Sequence, residues 1–274
     1  MQNCIDGLCD FEFDRAAIDR AAKGNRLLTM EIEFSLRCNF NCPYCYVPEE
    51  SYYEGELTVA EIQDVLRQAS DLGARRIIIL GGEPSIYPSI REMIDFIQDQ
   101  GMGVEMFTNG SGMTAEFAHW LFARRVRVVA KMNSFDAALQ DRLSGQPGAS
   151  RIIATALDRL KRAGYPSEDA FLAVSTIICR QNLDELPRLW CWLRDQGIAP
   201  YFEMITPQAN ALNNPWLDVD PETARRLFEK LAVIDADRYG RSWDVQPPWW
   251  ATVACGISSP AWSPQRGMCC RVWA

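Results

Sequence analysis

Apolar and polar positions alternate over residues 27–36, with Met30, Ile32, Phe34 and Leu36 on one face. That period of two predicts a half-buried strand running straight into Cys38. Ahead of it, Phe13, Ala17 and Ala21 recur at helical spacing and Gly24-Asn25 closes the pattern, which predicts a short leading helix. Behind it, Thr58 and Glu61 form a capping box for a helix whose stripe is Ile62, Val65, Leu66 and Ala69 and whose end is Gly73. The period then switches back and forth. Strands are predicted over 76–80, 104–108, 126–132, 171–178 and 201–205, and helices over 89–100, 114–123, 151–163, 183–196 and 221–234.

Strands alternating with helices build a parallel sheet through right-handed crossovers, so a curled or closed (β/α) barrel is the expected α/β architecture. In such folds the loops after the strands carry the chemistry, at the C-terminal edge of the sheet. From Tyr239 onward periodicity gives way to Trp and Pro, including Trp243, Trp249, Trp250, Trp262 and Trp273. The expected organisation is an N-terminal extension over 1–26, a barrel over 27–235 and a small irregular Cys- and Trp-rich extension over 236–274. So short an appendage either packs across the barrel mouth or needs a metal staple.

Composition narrows the partners. The 274 residues are 48% hydrophobic and 23% charged, the profile of a globular chain. A net charge of −8 repels phosphate backbones, which argues against nucleic acid as a partner. The longest apolar runs, 77–80 and 126–130 with Arg127 inside it, fall short of the roughly 18–20 residues that cross a bilayer, so no membrane partner is expected. The chain opens Met-Gln-Asn-Cys with no basic stretch leading to an apolar segment, and a reducing, cytoplasmic compartment is expected. There, ten cysteines read as metal ligands or redox thiols before they read as disulfides. Cys179 and Cys191 stand apart and are expected in the core, and Cys4 and Cys9 carry no assigned role.

Cys38, Cys42 and Cys45 are spaced C-x3-C-x2-C within one loop. Structural zinc asks for four ligands, and the sole histidine, His119, falls in a predicted helix elsewhere. Three thiolates also suit an iron–sulfur cube, with one iron left open. Spacing alone leaves both readings standing. The predicted strand 76–80 ends in Gly81-Gly82-Glu83-Pro84 at the same sheet edge. Two glycines admit a ligand close to the backbone, and Pro84 holds Glu83 extended so that its peptide groups are exposed to a ligand bearing an ammonium group. Taken alone, these four residues are equally a tight turn.

Together the two motifs resemble the radical S-adenosylmethionine (SAM) superfamily, whose C-x3-C-x-aromatic-C loop is matched by Cys38, Cys42, Tyr44 and Cys45. The resemblance implies a partial (β/α)6 TIM-like barrel. It implies that Cys38, Cys42 and Cys45 bind a [4Fe–4S] cluster whose fourth iron chelates the amino and carboxylate groups of SAM. Gly81, Gly82, Glu83 and Pro84 match the segment that contacts the SAM amino group, and Tyr44 takes the aromatic position near the adenine. Thr108-Asn109-Gly110 looks like the family's Thr-Asn-Gly turn, which makes Asn109 a cofactor contact. Lys131-Met132-Asn133-Ser134 aligns with a segment that reads Ser-Leu-Asp-Gly or Ser-Val-Asp-Ser in many relatives and approaches the ribose. Asn133 and Ser134 are the candidate contacts there, and Lys131 departs from the pattern toward an acidic substrate group or the SAM carboxylate. Residues 175–186 resemble the fifth-strand segment of peptide-modifying members, with Thr176 and Arg180 as candidates. Glu203, near the end of the last predicted strand, points by location toward the cavity as a substrate-binding or proton-accepting group, with pairing to a barrel arginine the alternative.

The implied activity is reductive cleavage of SAM to methionine and a 5′-deoxyadenosyl radical, which abstracts hydrogen from a peptide or small-metabolite substrate. The electron comes from a donor such as flavodoxin or ferredoxin. Cys255-Gly256 and Cys269-Cys270 resemble the opening of the SPASM or Twitch extension. Either Cys255 with Cys269 or Cys270 and a barrel thiol holds an auxiliary iron–sulfur cluster, or the extension is truncated and holds none. Two readings from other classes are an iron–sulfur electron carrier or sensor, which has no need of Gly81–Pro84, and a zinc-stabilised binding module, which is short of ligands.

Overall fold

The structure, a computed structural model, describes residue 13, residues 15–47 and residues 55–241. Residues 242–274 of the predicted C-terminal extension, with Cys255, Cys269 and Cys270, therefore lie outside the described residues, as do Cys4 and Cys9.

Helix α1 (Arg15–Lys23) leads into strand β1 (Thr29–Glu33). Five strand-bearing repeats follow: α2 (Val59–Asp71) and β2 (Arg76–Leu80), α3 (Ile90–Asp99) and β3 (Gly103–Thr108), α4 (Ala115–Ala123) and β4 (Arg127–Lys131), α5 (Ala137–Ser144) with α6 (Ala149–Ala163) and β5 (Leu172–Ile178), and α7 (Leu186–Asp195) and β6 (Ala199–Met204). Helix α8 (Pro221–Tyr239) closes the series. The capping box at Thr58 forms as the sequence predicts, with Glu61 N–H donating to Thr58 Oγ1 and Thr58 N–H to the Glu61 carboxylate.

All six strands pair parallel and in chain order, from Thr29 opposite Arg76 at one edge to Ile178 opposite Met204 at the other. Among the described residues β1 and β6 do not pair, so the sheet is curled and open rather than closed. One face of each strand meets the helices: Met30, Ile32, Ile77, Ile79, Met106, Val128 and Phe202 pack with Leu66, Ile94, Leu121, Leu160 and Leu193 in one core. On the other face, Val129, Ala173 and Ala199 pack with Phe107, Phe171 and Tyr201. Strand β5, in contact with both layers, is buried along its whole length, as a central parallel strand should be. Toward the N-terminal ends of the strands a buried ion triad sits on the same face, with Glu105 accepting from Arg127 Nε at 2.8 Å and lying 3.8 Å from Arg76.

Most boundaries shift by a few residues from the alternation pattern, and three differences have a physical reason. Strand β1 stops at Glu33, because beyond it the chain leaves the regular ladder to meet the loop after β2. Strand β6 starts at Ala199 and takes in Pro200, which only an edge strand tolerates since proline cannot donate to a ladder. Helix α5 was not predicted at all. Its short sequence has no clear apolar stripe, and it is fixed locally by Asp136, whose carboxylate accepts from Leu139 N–H.

Helices α7 and α8 are locked by a carboxylate with no solvent exposure. Asp235 accepts from Trp190 Nε1 and from Arg194 Nη2, each at 2.7 Å. Removing one member leaves a buried guanidinium without its counter-charge. The Asp235→Ala variant is therefore expected to lose about 3–5 kcal/mol of unfolding free energy, read as a fall in the urea midpoint.

Candidate functional site

The cysteine loop leaves the C-terminal end of β1 and meets the Gly81–Pro84 segment that leaves β2. The two run side by side beyond the regular ladder: Gly82 N–H donates to Ser35 O and Glu83 N–H to Arg37 O, each at 2.9 Å. Glycine is required there. A Cβ on Gly82 would sit 2.0 Å from the Arg37 carbonyl oxygen, and Gly81 has φ +112° with its Cβ position 2.5 Å from Ser35 O. Glu83 is extended, as Pro84 dictates, but its peptide groups are not open to a ligand: its N–H is on Arg37 and its carbonyl accepts from Ile86 N–H. The carbonyls of Gly81 and Gly82 are the groups that receive no hydrogen bond among the described residues.

The Glu83 carboxylate turns inward and joins the loop after β2 to the loop after β3. It accepts from Thr108 Oγ1 and Asn109 N–H, each at 2.5 Å, and from Ser85 N–H at 2.9 Å. Burial raises its carboxyl above the usual range, and these hydrogen bonds act against the shift. Asn109 in turn reaches the cysteine loop, its Nδ2 lying 3.6 Å from Cys38 Sγ and 3.1 Å from Asn39 Oδ1. The Thr-Asn-Gly turn, the Gly-Gly-Glu-Pro segment and the first cysteine thus form one hydrogen-bonded unit.

Four residues expected at the cofactor are instead inside the protein. Tyr44 is buried; its hydroxyl accepts from Asn133 Nδ2 at 2.7 Å and hydrogen-bonds the Cys42 sulfur, which places it under the loop. Asn133 has no exposed surface, and its Oδ1 accepts from Ile177 N–H at 2.9 Å while its N–H donates to Gln140 Oε1. Ser134 is buried with its hydroxyl accepting from Asp136 N–H. Thr176 is buried and donates to Met132 O at 2.6 Å. Asn133 thus supports the loop through Tyr44, while Ser134 and Thr176 spend their hydroxyls on Asp136 N–H and Met132 O. Cys179 is buried, as expected, and Cys191 half-buried. Arg180 is exposed on the loop after β5, with its N–H donating to Leu217 O.

Lys131 and Glu203, from the ends of β4 and β6, do come together. Lys131 Nζ donates to Ser175 Oγ at 2.9 Å and to Glu203 Oε1 at 3.2 Å, and Ser175 Oγ donates to Glu203 at 2.7 Å. Glu203 thus pairs with a lysine rather than an arginine. The same ammonium stands 5.3 Å from the centre of the Tyr44 ring, so it faces the cysteine loop. A cavity of about 380 Å³ lies elsewhere, around Arg127, Phe171, Arg194 and Ala199, at the N-terminal ends of the strands. Parallel-sheet chemistry belongs at the opposite edge, where the cysteines are.

Burial drives the Cys42 thiol up to about 12, with Tyr44 and Lys131 acting against it. Cys45 is raised for the same reason, and Cys38, the most exposed of the three, is still desolvated enough to reach about 11. Burial thus favours the protonated thiols in this loop. Two of the sulfurs feel the third electrostatically, Cys45 raising both Cys38 and Cys42. Yet among the described residues no three His, Cys, Asp or Glu side chains converge on a point able to hold a single metal ion. Zinc draws its thiolates to about 2.3 Å of one centre, whereas an iron–sulfur cube spreads them over its corners. Three free thiols on one loop are the donor set that an iron–sulfur cube takes, with one iron left open.

Sequence reasoning passed over the residues that hold the loop from outside. Ser144, at the end of α5, accepts from Asn41 N–H at 3.2 Å and from Cys42 Sγ at 3.6 Å. Gly145 has φ +59°, and a Cβ there would meet Asn41 O at 1.8 Å. Asn210 and Asn214, beyond β6, reach the carbonyls of Cys42 and Pro43. The only signal was an asparagine-rich run over 210–214 that no motif claimed.

The family model described as the Radical SAM superfamily matches residues 32–189. Among curated proteins, the chain is 35% identical over 165 residues to PqqA peptide cyclase of Streptomyces rochei, covering 58% of this chain and 43% of that protein. It is 28% identical over 171 residues to AdoMet-dependent heme synthase of Methanosarcina barkeri, covering 62% and 48%. The chain spans about half the length of the curated relatives it matches. A crystal structure of Streptococcus suis SuiB bound to the precursor peptide SuiA superposes with a TM-score of 0.65 at 18% identity, over 82% of this chain and 50% of that one, which shows the same fold.

Two outcomes follow from this geometry. Gly82→Ala must push Arg37 away from Glu83, and the variant is expected to take up a small fraction of the wild-type iron on anaerobic reconstitution, by iron assay. Tyr44→Phe leaves the buried Asn133 amide without its acceptor, and thermal unfolding should register a loss of about 1–3 kcal/mol.

Proposed function

The chain belongs to the radical SAM superfamily, and from that premise we propose that it binds a [4Fe–4S] cluster at Cys38, Cys42 and Cys45, cleaves SAM reductively, and modifies a peptide by hydrogen abstraction. The observation that supports the reading is the backbone contact that joins the approach to the cysteine loop to the diglycine segment, Gly82 N–H on Ser35 O and Glu83 N–H on Arg37 O. When bound, the cluster and SAM supply a one-electron cleavage that yields methionine and a 5′-deoxyadenosyl radical able to take hydrogen from an unactivated carbon. The protein supplies the geometry and the shielding from water.

Each residue then has a task of its own. The carbonyls of Gly81 and Gly82 accept from the ammonium group of the sulfonium amino acid. Glu83 holds the Thr108-Asn109 turn in place, and Asn109 donates toward the Cys38 sulfur. Tyr44 and Asn133 brace the loop from below. Lys131 and Glu203 stand at the substrate side, where the lysine meets a carboxylate or carbonyl and the glutamate an N–H or a leaving proton. Arg180, exposed beyond β5, extends the same rim.

Support for a peptide comes from the likeness to a peptide cyclase and from the fold shared with an enzyme crystallised on its precursor peptide. The likeness to a heme synthase favours the second reading, a small metabolite. A reduced flavodoxin or ferredoxin is the electron donor in either case. Cys255, Cys269 and Cys270 are the ligands proposed for an auxiliary cluster of the SPASM or Twitch kind. No helix among the described residues is long and apolar enough to cross a membrane.

Anaerobically reconstituted protein given dithionite and SAM is expected to release 5′-deoxyadenosine, and replacing Cys38, Cys42 and Cys45 together by alanine to abolish it. Zinc without iron in the purified protein would overturn the reading. Iron remaining in the triple variant assigns an auxiliary cluster to the C-terminal cysteines; loss of all iron removes that part of the proposal.

A further inference from the structure

The loop that carries the thiols turns two N–H groups onto its own sulfurs and presents three carbonyls to a neighbouring segment. Toward the sulfurs it turns N–H groups: Phe40 N–H lies 3.4 Å from Cys38 Sγ, and Val47 N–H hydrogen-bonds the Cys45 sulfur. Toward the outside it turns acceptors, and these are met by one segment from the far end of the sheet. Asn210 Nδ2 spends both its hydrogens there, on Cys42 O and on Asn41 Oδ1, each at 3.1 Å. Its own N–H donates to Cys45 O at 3.1 Å. Asn214 Nδ2 donates to Pro43 O at 3.1 Å and to Asn210 O at 2.9 Å. Trp216 Nε1 donates to Asn214 Oδ1 at 2.7 Å, which fixes which end of that amide faces the loop.

This segment follows β6, and the cysteine loop follows β1, the two strands that do not pair. The contacts therefore bridge the open seam of the half-barrel at the end where the chemistry lies. We propose that Asn210 and Asn214 are positioning residues for the cluster loop: they hold its carbonyls outward across the seam and so keep its N–H groups on the Cys38 and Cys45 sulfurs. The inference rests on the cluster-binding reading given above. Hydrogen bonds to ligand sulfurs stabilise the reduced, more negative cluster and raise its reduction potential. The clamp thus acts on the potential as well as on retention of the metal.

An amide is needed, because two acceptors face it. Asn210→Ala removes two donors. Asn210→Asp keeps the volume but sets a carboxylate against a carbonyl and an amide oxygen, so it is the worse of the two. Asn213→Ala is the control, since Asn213 is exposed and its side chain makes no hydrogen bond among the described residues.

The test uses the reconstituted full chain without SAM or substrate, and reads iron release to a chelator and the midpoint potential by redox titration followed by electron paramagnetic resonance. Asn210→Ala is expected to release iron roughly tenfold faster than wild type, the size expected for one or two lost hydrogen bonds, and to show a lower potential. Asn210→Asp is expected to go further in both, while Asn213→Ala matches wild type. If Asn210→Asp behaves as wild type and only Asn210→Ala loses iron, the role is packing and the proposal fails. It fails equally if both variants match Asn213→Ala. Wild-type chain that takes up no four-iron cluster would instead overturn the functional reading on which it rests.

Discussion

Everything at the site depends on how closely two backbones approach. Where β1 and β2 give out, Ser35–Arg37 and Gly81–Glu83 continue side by side with no side chain between them, because a single methyl at Gly82 would have to occupy the place of the Arg37 carbonyl. That contact fixes where Cys38 begins its loop. It also turns the Glu83 carboxylate inward, where it ties the third strand's turn to the same point. The glycines of this motif are thus as much a requirement of the protein's own packing as of any ligand.

The fold was legible because parallel strands and crossover helices have different hydrophobic periods, and the pattern changed period at nearly every boundary. It failed where tertiary context outweighs local pattern. Pro200 hides the start of β6, since only the strand's place at the edge permits it. Helix α5 carries too little amphipathicity to announce itself, and its buried Leu143 packs in a small cluster with Tyr44 and Ile177 rather than in the main core.

The site was legible where a residue's type is tied to its spacing, as with Cys38, Cys42, Cys45, Gly81 and Gly82. It was less so where only position in a strand was available. Asn133, Ser134 and Thr176 sit at strand ends that face the site in sequence terms, yet their side chains bond inward: Asn133 to Tyr44 and Ile177 N–H, Ser134 to Asp136 N–H and Thr176 to Met132 O. Lys131 and Glu203 are the counter-example. They come from strands β4 and β6 and meet through Ser175, whose small side chain on β5 leaves the gap that the lysine and glutamate close. The asparagine-rich run over 210–214 was a weak signal for Asn210 and Asn214, because asparagine in a loop usually serves its own turn.

The clamp on the cysteine loop also sets an order of events in time. Its two halves are separated by about 170 positions along the chain. A growing polypeptide emerges from its N-terminus, so Cys38, Cys42 and Cys45 are synthesised long before the asparagines that hold them. The loop is then fully braced only once β6 and the turn beyond it have left the ribosome, and a chain interrupted before that point would display its three thiols without those hydrogen bonds.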